Sequence, residues 1–191
     1  MDRASYRGPD PALVQCMKTS VNTLPIKILV SGPFGAGKTT FIRTLSQTEV
    51  VDTEALCTDG SIKPTTTVAL DFGTIQTEEA LIHLYGTPGQ ERFVYMWEVL
   101  CEGACGLILL VSGKHPGQFS QARKIHDFIL SRLPLPFVVG VTHQDLPRVW
   151  RPPEVAGYFQ LEEDQVLGLD ARVAPSSWAL LQRLLEKLCK S

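Results

Sequence analysis

Apolar and polar positions along the chain follow two periods that alternate. Continuous apolar, β-branched runs at Ile26-Lys27-Ile28-Leu29-Val30-Ser31, Gly106-Leu107-Ile108-Leu109-Leu110-Val111 and Phe137-Val138-Val139-Gly140-Val141-Thr142 predict strands, the last two buried on both faces of a parallel sheet. Thr67–Gly73 and Ala80–Tyr85 read as the two arms of a hairpin joined across 74–79, and 165–169 as a further short strand. Between these runs the spacing becomes helical. It does so from Thr40 to Leu45, through Val94, Met96, Trp97 and Leu100, and over Phe119–Arg132 with Ala122, Ile125, Phe128 and Ile129 on one side. Pro152-Pro153-Glu154 fits a helix start running to Gln160. Trp178–Cys189 closes the chain as an amphipathic helix whose apolar side carries Leu180, Leu181, Leu184, Leu185 and Leu188. Strands alternating with helices argue an α/β fold with a mostly parallel central sheet, one antiparallel strand, and helices on both faces. Residues 1–24 show no period and contain Gly8, Pro9 and Pro11, so they read as a flexible N-terminal extension ahead of one domain over 25–191. The polar stretch 47–66 reads as a long connection, of the kind that is functional or disordered in compact domains.

A length of 191 residues suits that single domain. The formal net charge of −2, with both signs interspersed, gives no reason to expect nucleic acid or an anionic membrane surface, which leaves protein partners around an otherwise monomeric chain. No stretch has the build of a secretory leader or a bilayer-spanning helix, and the expected compartment is the cytoplasm. Cys16, Cys57, Cys101, Cys105 and Cys189 form no paired zinc spacing, and Cys101 and Cys105 are expected to be buried as small apolar residues. Cys189-Lys190-Ser191 is one residue short of a C-terminal prenylation signal. His83, His115 and His126 have no metal-ligand partner at suitable spacing and are read as structural.

Chemistry enters at Gly32-Pro33-Phe34-Gly35-Ala36-Gly37-Lys38-Thr39, between the first strand and a helix. The spacing G-x-x-x-x-G-K-[ST] is that of a phosphate-binding loop. Glycines let the backbone of Gly32, Gly35, Ala36 and Gly37 curl around an anion with N–H groups turned inward. The positive end of the following helix, from Lys38 through Thr39 and Thr40, reinforces them. Lys38 can reach the β- and γ-phosphates, and the Thr39 hydroxyl can ligate Mg²⁺.

Three further stretches in the expected order, Thr67-Val68-Ala69-Leu70-Asp71-Phe72, Gly86-Thr87-Pro88-Gly89-Gln90-Glu91-Arg92-Phe93 and Thr142-His143-Gln144-Asp145, make residues 25–190 resemble the Ras-like small GTPases. Phe34 in the phosphate loop, the Gly86–Phe93 run and Met96-Trp97 look most like their bacterial branch, the MglA-like and conservon-type proteins. The resemblance implies a P-loop Ras-like G domain binding GTP or GDP with Mg²⁺. Thr67, or Thr65 or Thr66 in a shifted register, would be the switch I threonine that joins Mg²⁺ and the γ-phosphate only in the GTP state. Gly89 would bond the γ-phosphate through its N–H, and Gln90 would orient the attacking water, with Lys38 and Thr67 completing the catalytic set. Gly86 departs from the pattern, standing where most such chains carry the aspartate that holds a Mg²⁺-bound water. Asp71, on the neighbouring strand, is either the compensating carboxylate or a surface residue. Phe34 replaces a small residue beside the path of an activating arginine, which implies slow unaided hydrolysis.

For the base, Thr142-His143-Gln144-Asp145 stands in place of N-K-x-D. One Asp145 carboxylate can accept from both N1–H and the 2-amino group of guanine, a donor pair that adenine lacks. His143 either covers the purine face or is an exposed loop residue, and the Ala171 N–H would point to guanine O6. Three functions remain open on the sequence. The first is a slow GTP-hydrolysing switch that works with effector and activator proteins, among them a roadblock-type activator. The second is a nucleotide-locked scaffold that holds a partner on Phe93, Tyr95, Met96 and Trp97. The third is an ATP-dependent enzyme.

Overall fold

A computed structural model describes residues 25–48, 51–52, 70–77, 80–89 and 94–190. The expected extension 1–24, the threonines at 65–67 and Gln90 lie outside these residues. The chain follows the order β1 (Ile26–Ser31), α1 (Lys38–Leu45), β2 (Val51–Asp52), β3 (Asp71–Gln76), β4 (Leu81–Gly86), α2 (Val94–Cys101), β5 (Gly106–Ser112), α3 (Phe119–Arg132), β6 (Phe137–Thr142), α4 (Pro152–Phe159), β7 (Val166–Gly168) and α5 (Ala174–Leu188). The strands form one seven-stranded sheet in the order β2-β3-β4-β1-β5-β6-β7. β3 is the one strand that runs against its neighbours, antiparallel to both β2 and β4, and the pairs β4·β1, β1·β5, β5·β6 and β6·β7 are parallel. The expected fold class is therefore the observed one.

The sheet separates two apolar layers. On one face Phe41 and Ile42 of α1 and Leu180, Leu181, Leu184 and Leu185 of α5 pack on Ile28, Val30, Ile108 and Leu110. On the other, Trp97 and Leu100 of α2, Phe119, Ala122, Ile125 and Ile129 of α3, and Val155 and Phe159 of α4 pack on Leu29, Leu107, Leu109 and Val139. Every residue of β5 is buried, because successive side chains point to opposite faces and both faces are covered. Each fully buried leucine contributes about 1.5–3 kcal/mol relative to exposure, so the four of α5 make it a principal anchor of its layer.

Four expectations are corrected. The hairpin is displaced toward the C-terminus. The described β3 begins at Asp71 and runs past the expected Gly73 to Gln76, whose partner is Leu81, with the Thr77 N–H donating to the Ala80 carbonyl (3.0 Å) at the reversal; Thr67–Ala69 lie outside the described residues. The stretch read as pure connection contains Val51–Asp52, paired with Phe72 and Asp71. Cys105 is exposed, because it immediately precedes β5 and does not share the buried side of α2 that holds Cys101. Trp97 is only 2% exposed, packed edge-on against Phe128, so it is a core residue and not part of a surface patch. Among the described residues no helix is long and apolar enough to cross a membrane.

All parallel strands end on one edge, where ligands of such sheets bind. β3 runs the other way, so its first residue, Asp71, arrives at that same edge.

Candidate nucleotide site

The loop after β1 opens on Gly32 with φ 144°, and a Cβ there would stand 2.1 Å from the Leu110 carbonyl oxygen of β5. No other residue fits that approach, which fixes where the loop turns. Lys38 folds back over it, its Nζ donating to the carbonyls of Gly32 (2.8 Å) and Pro33 (2.8 Å). Burial pulls the Lys38 ammonium down from 10.5 to about 8, with Asp71 opposing that fall. A cation held this far below its ordinary range is poised to gain from an anion. Ala36 is buried and Gly37 half-buried, whereas Gly35, Thr40 and Phe34 are exposed, the phenylalanine by 72%.

Thr142 ties the loop to the C-terminal end of β6. Its hydroxyl donates to the Ala36 carbonyl (3.0 Å), with the Val111 carbonyl at 3.2 Å. Its single proton being committed there, the hydroxyl accepts from Nδ1 of His143 (3.0 Å), which also lies 3.0 Å from the Ser112 hydroxyl. Burial lowers the His143 pKa, with Asp145 opposing. His143 sits at φ 62°, a left-handed turn that carries the chain away from β6 toward Asp145.

Between these elements lies a cavity of about 260 Å³ whose lining includes Gly37, Thr142, His143, Asp145, Ala171 and Arg172. The structure thus brings the phosphate loop, the Asp145 carboxylate and Ala171 into one cleft. It also fills part of that cleft with a side chain whose role the sequence reading passed over. Arg172 donates to Asp145 (2.8 Å) and to both oxygens of Asp170, and its bonds to Asp170 hold that carboxyl's pKa down at about 2. Its place next to Ala171 was the available signal.

On the other side of the phosphate loop, the segment Gly86–Gly89 is held at four points. The Thr87 N–H donates to the Val30 carbonyl (2.9 Å), and the Thr87 and Ser31 hydroxyls, both buried, are 2.6 Å apart. Trp97 Nε1 donates to the Pro88 carbonyl (2.9 Å) and Gln121 Nε2 to the Gly89 carbonyl (2.9 Å). Gly89 is pressed so closely on the loop that a Cβ would be 2.7 Å from the Phe34 nitrogen. Sequence reading missed Ser31, Gln121 and the indole of Trp97 as supports, since their partners are distant in the chain. Thr39 Oγ1 donates to Asp71 Oδ2 at 2.6 Å. These two oxygens are hard donors beside a phosphate loop, and they fit Mg²⁺, which takes one or two protein ligands together with phosphates and water. Among the described residues no cluster of three or more His, Cys, Asp or Glu could hold a metal by itself.

The family described as "Conserved hypothetical ATP binding protein" matches residues 46–165. The chain belongs to that family. The matched span begins just after α1 and ends just before β7, so it includes Gly86–Gly89 and Thr142–Asp145 but neither the phosphate loop nor Ala171. Among curated relatives, an uncharacterized protein of Methanocaldococcus jannaschii is 31% identical over 91 residues, 47% of this chain and 53% of its own length. ADP-ribosylation factor-related protein 1 of Rattus norvegicus is 26% identical over 135 residues, 69% of this chain and 66% of its own. The chain thus spans between about half and two thirds of the length of these relatives. The G domain of the T. maritima FeoB iron transporter superposes with a TM-score of 0.63 at 17% identity, covering 86% of this chain and 99% of that one. The fold of this family member is accordingly that of a P-loop G domain.

Proposed function

We propose that the chain is a guanine-nucleotide switch that hydrolyses GTP slowly until a partner assists. The observation that carries the reading is the single cleft in which the phosphate loop, Asp145 and Ala171 meet. A purine seated there would offer N1–H and its 2-amino group to Asp145 and O6 to the Ala171 N–H, a pattern that guanine satisfies and adenine does not. Seating it requires Asp145 to exchange Arg172 for the base. The loop N–H groups and Lys38 would take the phosphates, with Lys38 leaving the Gly32 and Pro33 carbonyls for the charged oxygens.

Thr39 is the described side chain that would ligate Mg²⁺, which when bound would neutralise charge developing on the phosphates. Gly89, already against the phosphate loop, would present its N–H to the γ-phosphate, and Gln90 would orient water for in-line attack. Thr67 would close over the same group. Loss of the γ-phosphate removes what both segments hold, and they relax together. Exposed Phe34 beside the loop supports slow unaided chemistry, because an activating arginine must pass a bulky ring. Such an arginine typically raises turnover by roughly 10³–10⁵. We assign the chain to the MglA-like, conservon-type branch on Phe34 and the Gly86–Phe93 run, with a roadblock-type protein as the activator.

Multiple-turnover GTP hydrolysis by the wild type and Gln90→Ala, each with and without such an activator, tests the reaction. The switch reading expects Gln90→Ala to fall at least about tenfold below the wild type. Equal rates under every condition leave a nucleotide-locked scaffold in its place. The description of the family favours a second reading, in which the cleft takes ATP.

A further inference from the structure

Gly86 ends β4 at the position from which a Ras-like chain would project an aspartate. The space for such a side chain is already filled. A Cβ at Gly86 would lie 2.9 Å from the Asp71 Cβ, 3.2 Å from Asp71 Oδ2 and 2.9 Å from Cδ1 of Ile42. Asp71 opens β3, which runs antiparallel to β4, so its carboxylate enters from the adjacent strand the volume that a residue at 86 would occupy. A second, separate observation gives the direction of that carboxylate. Its Oδ2 accepts from Thr39 Oγ1 at 2.6 Å, the hydroxyl that ends the phosphate-loop motif. A hydroxyl has one proton and two lone pairs, so Thr39 can keep donating to Asp71 while offering a lone pair to a cation.

We propose that Asp71 is the relocated acidic group of the Mg²⁺ site, orienting Thr39 and holding a metal-bound water, and that residue 86 is glycine because Asp71 occupies its side-chain volume. The proposal rests on the nucleotide-switch reading. It makes Asp71 and Gly86 one unit: a carboxylate is needed once, from either strand, and two cannot be accommodated. Gly86→Asp alone forces a second carboxyl against Asp71 and Ile42, whereas Asp71→Gly with Gly86→Asp moves the same group back across the strand pair.

The test is release of fluorescent GDP and fluorescent ADP from the purified chain as a function of free Mg²⁺, read as the ratio of the rate in EDTA to the rate in Mg²⁺. For whichever nucleotide binds, Asp71→Asn is expected to need at least about tenfold more Mg²⁺ for half-maximal slowing, the usual consequence of losing a group that supports a metal. The Asp71→Gly/Gly86→Asp pair should recover most of that shift, and Gly86→Asp alone should melt below both the wild type and the pair. An unchanged Mg²⁺ dependence in Asp71→Asn overturns the proposal, as does a folded double variant that behaves like Asp71→Asn. Tight ADP with no GDP binding overturns the guanine assignment while still reading out the Asp71 prediction. No binding of either nucleotide overturns both.

Discussion

Lys38 carries an electrostatic cost in the folded protein. Its ammonium is buried against two backbone carbonyls, and burial lowers its pKa from 10.5 to about 8 against the pull of Asp71. A unit of pKa is about 1.4 kcal/mol, so keeping the charge in the folded protein at pH 7 costs roughly 3 kcal/mol relative to an unburied lysine. The sign follows from proton counting. Above pH 8 the folded protein releases the Lys38 proton while the unfolded chain keeps it up to about 10.5, so stability rises with pH across that window. Below pH 8 both states are protonated and the contribution is flat. Lys38→Met removes the titrating group. The stability of the wild type relative to this variant should rise by about 2 kcal/mol between pH 7 and pH 9.5, the part of the window reached at that pH. Urea unfolding of both nucleotide-free proteins at the two pH values measures it, since groups that titrate identically cancel in the comparison. With GDP bound the phosphates hold the charge, and the pH-dependent difference should shrink. Parallel pH profiles for the empty wild type and Lys38→Met would refute the reasoning.

Three other outcomes follow from contacts at the cleft. Arg172→Ala releases Asp145 from an exposed ion pair; nucleotide association should quicken by about two- to fivefold at low salt, and the difference should vanish at high salt, as stopped-flow fluorescence would record. Trp97→Phe keeps the buried ring but leaves the Pro88 carbonyl without its indole donor, lowering stability by about 1 kcal/mol in urea titration and loosening Gly86–Gly89 enough to reduce turnover. Gly32→Ala drives a methyl into the Leu110 carbonyl; a loss of about 1–3 kcal/mol is expected, read as a lowered unfolding midpoint even without ligand.

Much of this molecule is legible along the chain because the informative signals are local. The apolar runs of β5 and β6, each closed by one hydroxyl residue, can be buried only between two layers of helix, and the spacing Ala122, Ile125 and Ile129 fixes the inward side of α3. The phosphate loop is legible because its motif residues lie within eight consecutive positions, although what Gly32 must avoid, the Leu110 carbonyl, is distant in the chain. The end of β3 is not. The described strand runs past Gly73 because it is set by register against β4, through Gln76 opposite Leu81 and the Thr77 turn, and propensity is blind to register. Trp97 shares an apolar helical pattern with Leu100, and that pattern does not tell a buried side from the partner-holding patch of the scaffold alternative; packing against Phe128 does. Asp71 and Gly86 are the sharper case. Fifteen positions apart in the numbering and on adjacent strands, they explain one another only through shared volume, and a sequence shows the missing carboxylate without showing what has replaced it. Asp145 likewise sits in a recognisable motif, but its ion pair with Arg172 is a property of the folded cleft.

The central claim is that the cleft reads guanine through Asp145. Displacement of a fluorescent guanine nucleotide by GDP and by ADP, in the wild type and in Asp145→Asn, tests it most directly. A site built to pair with two donors rejects a base lacking them by orders of magnitude, so GDP should compete at least about 100-fold better than ADP in the wild type. Asp145→Asn should lose most of that preference and gain affinity for xanthosine diphosphate, whose 2-oxo group can accept from the amide. Equal or better competition by ADP in the wild type would contradict the account and make the cleft an adenine site.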